Sequence, residues 1–438
     1  MIKSDSSNTP PFTTLEQWLN WQEAQHPRAI DLGLERVGVM VQRLELRCPP
    51  YVVITVGGTN GKGSTVAFLE TMLKAAGYQV GAYTSPHLLH YNERIRLNGE
   101  AVNDASLCRA FACVESLREA LPLSYFEFGT LAALQLFREA AVQVALLEVG
   151  LGGRLDAVNV VDADAAIVTS VAIDHVEWLG SDRESIGYEK AGIYRSGRPA
   201  VCADSQPPQR LLEHVNNIDA TLYRVGQEYG FQNLGREWEW WHGGLRLESL
   251  PSPALAGEHQ LSNAAAAIMA LTALSERLPV RSEAIRAGLR RARLAARFQV
   301  VPGPVEWILD VAHNPHAAAT LARCLRSRPC AGRTWAVLAM LFDKDAAGVA
   351  RALQSLIDIW YVASLDGPRG RSGKQLGEAL RAALDTGPTL AYFSSVQEAC
   401  HAAAEGAEGG DRIVVFGSFH TVAEALVAEV IDWTADSC

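Results

Sequence analysis

From Tyr51 to about Gly197 the apolar residues fall in short dense runs separated by longer amphipathic stretches. The short runs "YVVITVG", "QVGAYTS", "VQVALLEVG" and "DAAIVTS" are apolar at successive positions. That pattern suits strands of a parallel sheet covered by helices on both faces. The longer stretches "STVAFLETMLKAAG", "DASLCRAFACVESLREAL" and "FGTLAALQLFREA" have helical spacing. Near Thr221 the texture changes. "YRVGQEYGFQNLGREWEWWHGGLRLESL" reads as short strands with Gly turns, with "HGG" as a hairpin turn. Its Trp cluster, alternating with polar residues, fits the packed face of a small antiparallel sheet better than a stacking platform. "HQLSNAAAAIMALTALSERL" and "RSEAIRAGLRRARL" then read as helices.

The basic and then Pro/Gly-rich stretch "RRARLAARFQVVPGP" places a domain boundary around Leu294. Alternation resumes after it, with strands at "VEWILDVA", "TWAVLAM", "IWYVAS", "LAYFSS" and "RIVVFGS". The expected fold class is α/β. Residues 1–294 form a P-loop-type, mostly parallel sheet with a small antiparallel subdomain. Residues 295–438 form a second, Rossmann-like α/β domain.

Composition narrows the function classes. The chain has 438 residues, enough for two domains, with 48% hydrophobic and 20% charged residues, as in globular proteins. A net charge of −10 argues against general nucleic-acid binding. The N-terminus "MIKSDSSNTPPFTT" has no apolar signal core, and the Ala-rich "NAAAAIMALTAL" is too short for a membrane span. A cytoplasmic enzyme or binding protein is the expectation. The 8 cysteines form no C-x-x-C pair, so buried free thiols are expected rather than a disulfide framework or zinc site.

The chemistry starts at "VGGTNGKGST", Val56 to Thr65, between an apolar strand and a helix. Gly58, Gly61 and Gly63 let backbone N–H groups of Thr59, Asn60 and their neighbours approach an anion. The helix start adds partial positive charge, and Lys62 a full one. The match to G-x-x-x-x-G-K-[ST] is imperfect: Val56 replaces the first glycine, Gly63 follows the lysine, and the hydroxyls of Ser64 and Thr65 come later. A nucleotide site still explains the stretch better than a plain turn.

Parallel sheets bind ligands at the carboxyl ends of their strands. Three further strand ends in the first domain carry polar residues: Ser85 and His87 in "YTSPHL", Glu148 in "LLEVGLGGRLDAVN", and Asp174 and His175 in "TSVAIDHVEWLG". Singly, each has a structural explanation. Ser85 can cap a turn, Glu148 can pair with Arg154, and His175 can be a surface histidine. A carboxylate beside a triphosphate needs a cation between them, so Glu148 suggests Mg²⁺, with Ser64 or Ser85 adding a hydroxyl. Lys190 is open between a helix-surface lysine paired with Glu189 and a group acting near the γ-phosphate. In the second domain "ILDVAHNPHA" places Asp310, His313 and Asn314 at a strand-to-helix turn, and "FGSFHTVAEAL" places Ser418 and His420 at another. Helix capping explains Asn314 well and Asp310 poorly.

The ordered set "GGTNGKGS", "TSPHL", "LLEVGLGGRLDAVN", "DHVEWLG", "EKAGI", "SNAAAAI", "ARFQ", "DVAHNP", "DKD" and "GSFH" resembles folylpolyglutamate synthases, over roughly Trp18 to Ala425. It is most similar to the bacterial bifunctional members that are also dihydrofolate synthases, in the Mur ligase superfamily. The resemblance implies an ATP-dependent amide ligase that couples L-glutamate to dihydropteroate and to reduced folates through an acyl phosphate. It implies ATP-binding in residues 1–294 and a glutamate-ligase domain in 295–438. By position, Gly58 to Thr65, Asn263, Arg297 and Asp310 would contact ATP. Ser85 and Glu148 would hold one Mg²⁺, and His175 a second. Lys190 matches a lysine carbamylated in the superfamily. Phe126 and Asp156 match pterin-side residues, and His313 and Ser418 would lie near glutamate. Lys62, Lys190 and His175 are thus the expected catalytic groups. The resemblance also implies a monomer.

Three positions depart from the family pattern: Val311 and Ala296 stand where glycine is common, and Val158 where threonine is usual. None removes a charge or metal-binding group. The nearest rival is a cell-wall Mur ligase acting on a UDP-linked precursor. Such ligases carry a separate N-terminal domain, whereas about fifty residues precede the loop here. A P-loop kinase leaves "DVAHNP" without a role. A non-catalytic nucleotide sensor has no need to keep Lys62, Glu148 and His175 together.

Overall fold

The apolar runs become the inner strands of two sheets. The computed structural model describes residues 12–25, 31–384 and 389–430. Among these the chain divides into two compact units: one runs to Ala254 and includes Leu261–Ala292, and the other comprises Leu255–Gln260 and the chain from Arg293 onward.

In the first unit β1 (Val52–Gly57), β2 (Val80–Tyr83), β3 (Ile95–Leu97), β4 (Glu100–Ala101), β5 (Val144–Glu148), β6 (Ala165–Val168), β7 (Pro199–Cys202) and β8 (Thr221–Arg224) form one sheet. Their order is β4-β3-β2-β5-β1-β6-β7-β8. Strands β2, β5, β1, β6, β7 and β8 are parallel, while β3 and β4 add antiparallel pairs at one edge. Every residue of β1 and β5 is buried, as runs apolar on both faces require. The edge hairpin turns through Asn98 and Gly99, both at positive φ, a two-residue Asn-Gly turn.

The helix Tyr125–Glu139 shows how local chemistry sets an element. Ser124 Oγ accepts from the Glu127 N–H at 3.3 Å, and the Glu127 carboxylate accepts from the Ser124 N–H at 2.7 Å. That capping box fixes the helix start beside Phe126. The helix buries Phe128 and Phe137 in a core shared with Trp18 and Phe111. The small sheet comprises β9 (Tyr229–Asn233), β10 (Glu237–His242) and β11 (Leu245–Pro251), in the order β11-β10-β9. Trp238 and Trp240 are fully buried there, which settles the Trp cluster as packing. The first strand read for this region, at Tyr223, belongs instead to the large sheet as β8.

The second unit holds β12 (Gln299–Val301), β13 (Glu306–Leu309), β14 (Thr334–Leu338), β15 (Ile359–Ala363), β16 (Thr389–Phe393) and β17 (Arg412–Phe416), in the order β12-β13-β17-β14-β15-β16. All neighbours are parallel except β12, which runs antiparallel to β13 at the edge. The "QVV" within the stretch read as the domain boundary is therefore an edge strand. The protein has the expected mixed α/β fold. No described helix is long and apolar enough to cross a membrane. The seven described cysteines are free, but Cys202, Cys324 and Cys400 alone are fully buried, fewer than expected.

Candidate active site

The loop after β1 is clasped by the segment after β6. Thr59 N–H donates to Ser170 O at 2.7 Å, and Thr59 Oγ1 exchanges hydrogen bonds with Ala172. Thr169 Oγ1 and Ser170 Oγ both donate to Asn60 O, at 2.7 and 3.0 Å. Two glycines make the turn possible. Gly58 has φ +140, and a Cβ there would lie 1.9 Å from Thr169 Oγ1. Gly61 has φ +91, and a Cβ there would lie 2.5 Å from Asn263 Oδ1. Asn263 is thus brought against the loop by a helix far along the chain.

Gly61 is also the N-cap of the helix Lys62–Ala75, and no side chain caps that end. The first N–H groups of a helix have no intrahelical acceptor, so an uncapped start suits an anion. Lys62 Nζ donates to Gly58 O at 3.1 Å and Thr59 O at 3.2 Å, which holds the ammonium over the loop. Ser64 and Thr65 are buried in the first turn, and Thr65 Oγ1 donates to Gly61 O. Gly63 leaves that turn without a side chain between Lys62 and Ser64.

The neighbouring strand ends meet this loop through the sheet register. Val56 pairs with Glu148, and Tyr83 with Leu147. Glu148 is buried, and its carboxylate accepts from the Ser85 N–H at 3.3 Å. Ser85 and Glu148 are therefore together, as a shared cation requires. Among the described residues no three His, Cys, Asp or Glu side chains gather into a ready cage. Mg²⁺ fits such a site, since it uses one or two carboxylates and keeps waters and phosphate oxygens. Arg154 does not pair with Glu148; it pairs with Glu189 at 2.8 Å.

That pairing also removes the surface reading of Lys190. Lys190 is buried on the helix Arg183–Ala191. Gly153 packs on that helix, where a Cβ would lie 2.8 Å from Glu189 O and 3.1 Å from Lys190 Cα. Burial first, and then the charge of Lys62, push the Lys190 ammonium down to about 7, against the pull of Asp174 and Asp156. Asp156 moves the other way. Burial pushes its carboxyl up to about 6, although the N–H groups of Leu151, Val158 and Gly150 and the charge of Lys62 oppose this. Its oxygens accept from Leu151 and Val158 at 2.8 and 3.0 Å. His175 sits on the loop after β6 at φ +52, starting the short helix Val176–Leu179, and its N–H donates to the Asp174 carboxylate.

Phe126 lies over the glycine-rich loop. A Cβ on Gly150 would come within 2.7 Å of its ring, and the ring centroid is 5.7 Å from that of Tyr83. Sequence reasoning missed the support behind it. Arg36 bridges Asp31 at 2.7 Å and Glu127 at 3.1 Å, and the Gly33 N–H donates to Leu155 O. Arg36 lies in the first turn of the early helix Glu35–Arg43, whose Val37, Met40 and Val41 are buried, and nothing in its local sequence sets it apart from the other charged residues of that helix.

In the second unit Asp310 follows β13. Its carboxylate accepts from the Phe298 and Ala312 N–H groups at 2.9 and 2.8 Å. Burial raises the Asp310 carboxyl, while Arg297 pulls it down. Arg297 lies between Ala296 at φ +58 and Phe298 at φ +47, two left-handed non-glycine residues. The glycine common at position 296 has a physical reason here; Val311 is not among the positive-φ residues. His313 Nδ1 is 2.9 Å from Val311 O, and since a carbonyl oxygen only accepts, Nδ1 is the donor. Asn314 caps the helix Pro315–Arg326, as expected. Ser418 caps Phe419–Leu426 through the Thr421 N–H at 2.9 Å.

Two family models match this chain: the Mur ligase middle domain over residues 56–271, and the Mur ligase glutamate ligase domain over 296–419. The chain is 47% identical over 418 residues to the dihydrofolate synthase/folylpolyglutamate synthase of Escherichia coli (strain K12), covering 95% of this chain and 96% of the relative. It belongs to the dihydrofolate synthase/folylpolyglutamate synthase family. The family member from Haemophilus influenzae is 40% identical, over 94% of this chain and 96% of its own. E. coli FolC in complex with DHPP and ADP superposes with a TM-score of 0.90 at 45% identity, covering 97% of this chain and 98% of that one. A bifunctional folylpolyglutamate synthase/dihydrofolate synthase with Mn, AMPPNP and L-glutamate bound gives 0.88 at 44%, covering 98% and 100%. As a member of this family the chain is an ATP-dependent ligase.

Proposed function

We propose that this chain joins L-glutamate to dihydropteroate, forming dihydrofolate, and to reduced folates, forming folylpolyglutamates, with ATP as the energy source. The observation that carries the reading is the uncapped, Lys62-bearing helix start set beside the paired Ser85 and Glu148. The relatives with ADP, AMPPNP, Mn and L-glutamate bound support it. A carboxylate is a poor electrophile. The acceptor's carboxylate oxygen takes the γ-phosphoryl group of ATP as ADP leaves, and the resulting acyl phosphate is attacked by the glutamate amine. A C–N bond forms, phosphate leaves and the amine's proton goes to a base.

This chain's groups divide that work. The uncapped N–H groups at the start of the Lys62 helix and the Lys62 ammonium position the phosphates, while the Thr59 and Asn60 N–H groups are spent on Ser170 and hold the loop's shape; phosphoryl transfer depends chiefly on such positioning and charge. Asn263, Arg297 and Asp310 take the rest of the nucleotide. Ser85 and Glu148 would hold one Mg²⁺ and His175 a second; the metal supplies charge neutralisation on the phosphate oxygens. Lys190 is suited to carbamylation. A group titrating at about 7 is partly neutral amine, whose nitrogen can add CO₂ and lose a proton to give an anionic carbamate. Phe126 and Asp156 hold the pterin side. Ser418 and His313 face the incoming glutamate. A cytoplasmic monomer goes with this reading.

The test follows phosphate release from Mg²⁺-ATP and L-glutamate with dihydropteroate, and separately with tetrahydrofolate. Release with both, matched by a glutamyl product in mass spectrometry, is expected. Release with tetrahydrofolate alone would leave a chain extender and remove the roles given to Phe126 and Asp156. Release with neither, from folded protein that binds ATP, would overturn the reading.

A further inference from the structure

Arg297 is presented by an unusual stretch of backbone. Both neighbours, Ala296 and Phe298, have left-handed φ values. The stretch is latched at three points: Phe298 N–H to Asp310 Oδ2, Ala296 N–H to Gln299 Oε1 at 3.0 Å, and Val311 N–H to Ala296 O at 3.1 Å. These fix where the Arg297 side chain starts. Its guanidinium then lies over the ring of Phe419, with Cζ 5.0 Å from the ring centroid. Phe419 is the first residue of its helix, immediately after the cap Ser418. Ser418 is held in turn by Thr421, whose hydroxyl donates to Ala339 O at 2.7 Å. Gly417, at φ +122, passes so close to Ala339 that a Cβ would lie 2.2 Å from its carbonyl oxygen. The turn carrying the ring is therefore fixed from behind.

Phe419 itself contributes little to the core. It is half-buried, whereas Phe416 and Val422 on either side are fully buried. A large aromatic ring left half-exposed at a helix start, with a guanidinium over its face, is placed for that contact. We propose that Phe419 is a positioning residue: its ring sets the direction of the Arg297 guanidinium and so links the nucleotide contact to the turn capped by Ser418. The inference rests on the reading above, in which Arg297 contacts ATP and Ser418 lies by glutamate.

Five forms of the protein decide it: wild type, Phe419→Leu, Arg297→Ala, the double variant, and Phe419→Tyr as the conservative replacement. ATP KM and kcat are measured at low and saturating L-glutamate. Phe419→Leu is expected to raise ATP KM about 3-fold while kcat moves less, as loss of one cation–π contact implies. Phe419→Tyr keeps the ring face and should restore the wild-type ATP KM. In the Arg297→Ala background, Phe419→Leu should have no further effect. If Arg297→Ala raises ATP KM while Phe419→Leu leaves it unchanged, or if the two effects add, the positioning role is wrong. If Arg297→Ala leaves ATP KM unchanged, the nucleotide assignment of Arg297 fails, and the inference with it.

Discussion

Asn263 fills the space beside Gly61: a Cβ built there would come within 2.5 Å of the Asn263 amide oxygen. The contact ties a helix late in the first unit to the turn that starts the Lys62 helix. It also leaves the loop no room for a side chain, at a residue whose φ of +91 favours glycine in any case.

Gly61→Ala should therefore lose at least about 100-fold in kcat/KM for ATP, since the loop must shift away from its phosphate-binding shape. Adding Asn263→Ala relieves the clash but not the left-handed strain, so only part of the loss should return. Steady-state ATP kinetics on both variants check this. Wild-type kinetics for Gly61→Ala would contradict it.

Lys190 gives a pH-dependent stability with a defined sign. Its folded pKa, about 7, lies below the ordinary lysine value of 10.5. Between these values the unfolded chain holds a proton that the native state lacks, so stability rises with pH across that window. Below about pH 7 both states are protonated, and the cost of burying the charge is fully present. Chemical denaturation in CO₂-free buffer should show stability climbing by a few kcal/mol from pH 7 to 10. Lys190→Met should flatten that climb. An equal slope in the variant would remove the assignment.

Glu148→Gln keeps an acceptor for the Ser85 N–H but removes the charge. The Mg²⁺ concentration for half-maximal activity should rise at least about 10-fold, with little change in melting temperature. Coincident Mg²⁺ titrations would contradict the metal role.

Ala296→Gly should be close to neutral for stability, because its terms offset. Relief of left-handed strain returns about 1–2 kcal/mol. The lost methyl costs about 0.8 kcal/mol, and backbone entropy about 0.5–1 kcal/mol. Ala145→Gly, equally buried but in strand β5, gains no such relief and should be clearly destabilising. Urea melts of the two variants compare them directly.

Much of this was legible in the chain. Strands β1 and β5 are apolar without alternation, and nothing but a covered sheet position suits them. The polar residues at their ends, Lys62 and Glu148, then had to share one edge. What was missed was less apolar or through-space. Strands β3 and β4 are short and hidden in polar sequence, although Asn98-Gly99 advertised their turn. Strand β12 was masked by the Pro/Gly residues that follow it. No periodicity reports that Asn263 meets Gly61, that Arg154 takes Glu189 and leaves Lys190 buried, or that Phe419 faces Arg297. Those contacts arise only when distant segments close on one another.

The central claim is activation of the acceptor carboxylate as an acyl phosphate, and isotope transfer tests it most directly. Dihydropteroate labelled with ¹⁸O in both carboxylate oxygens is incubated with the protein, Mg²⁺-ATP and L-glutamate, and the released phosphate is examined by mass spectrometry. One labelled oxygen per phosphate, with the other retained in the new amide, is the result the account predicts. Glutamyl product accompanied by unlabelled phosphate would contradict it.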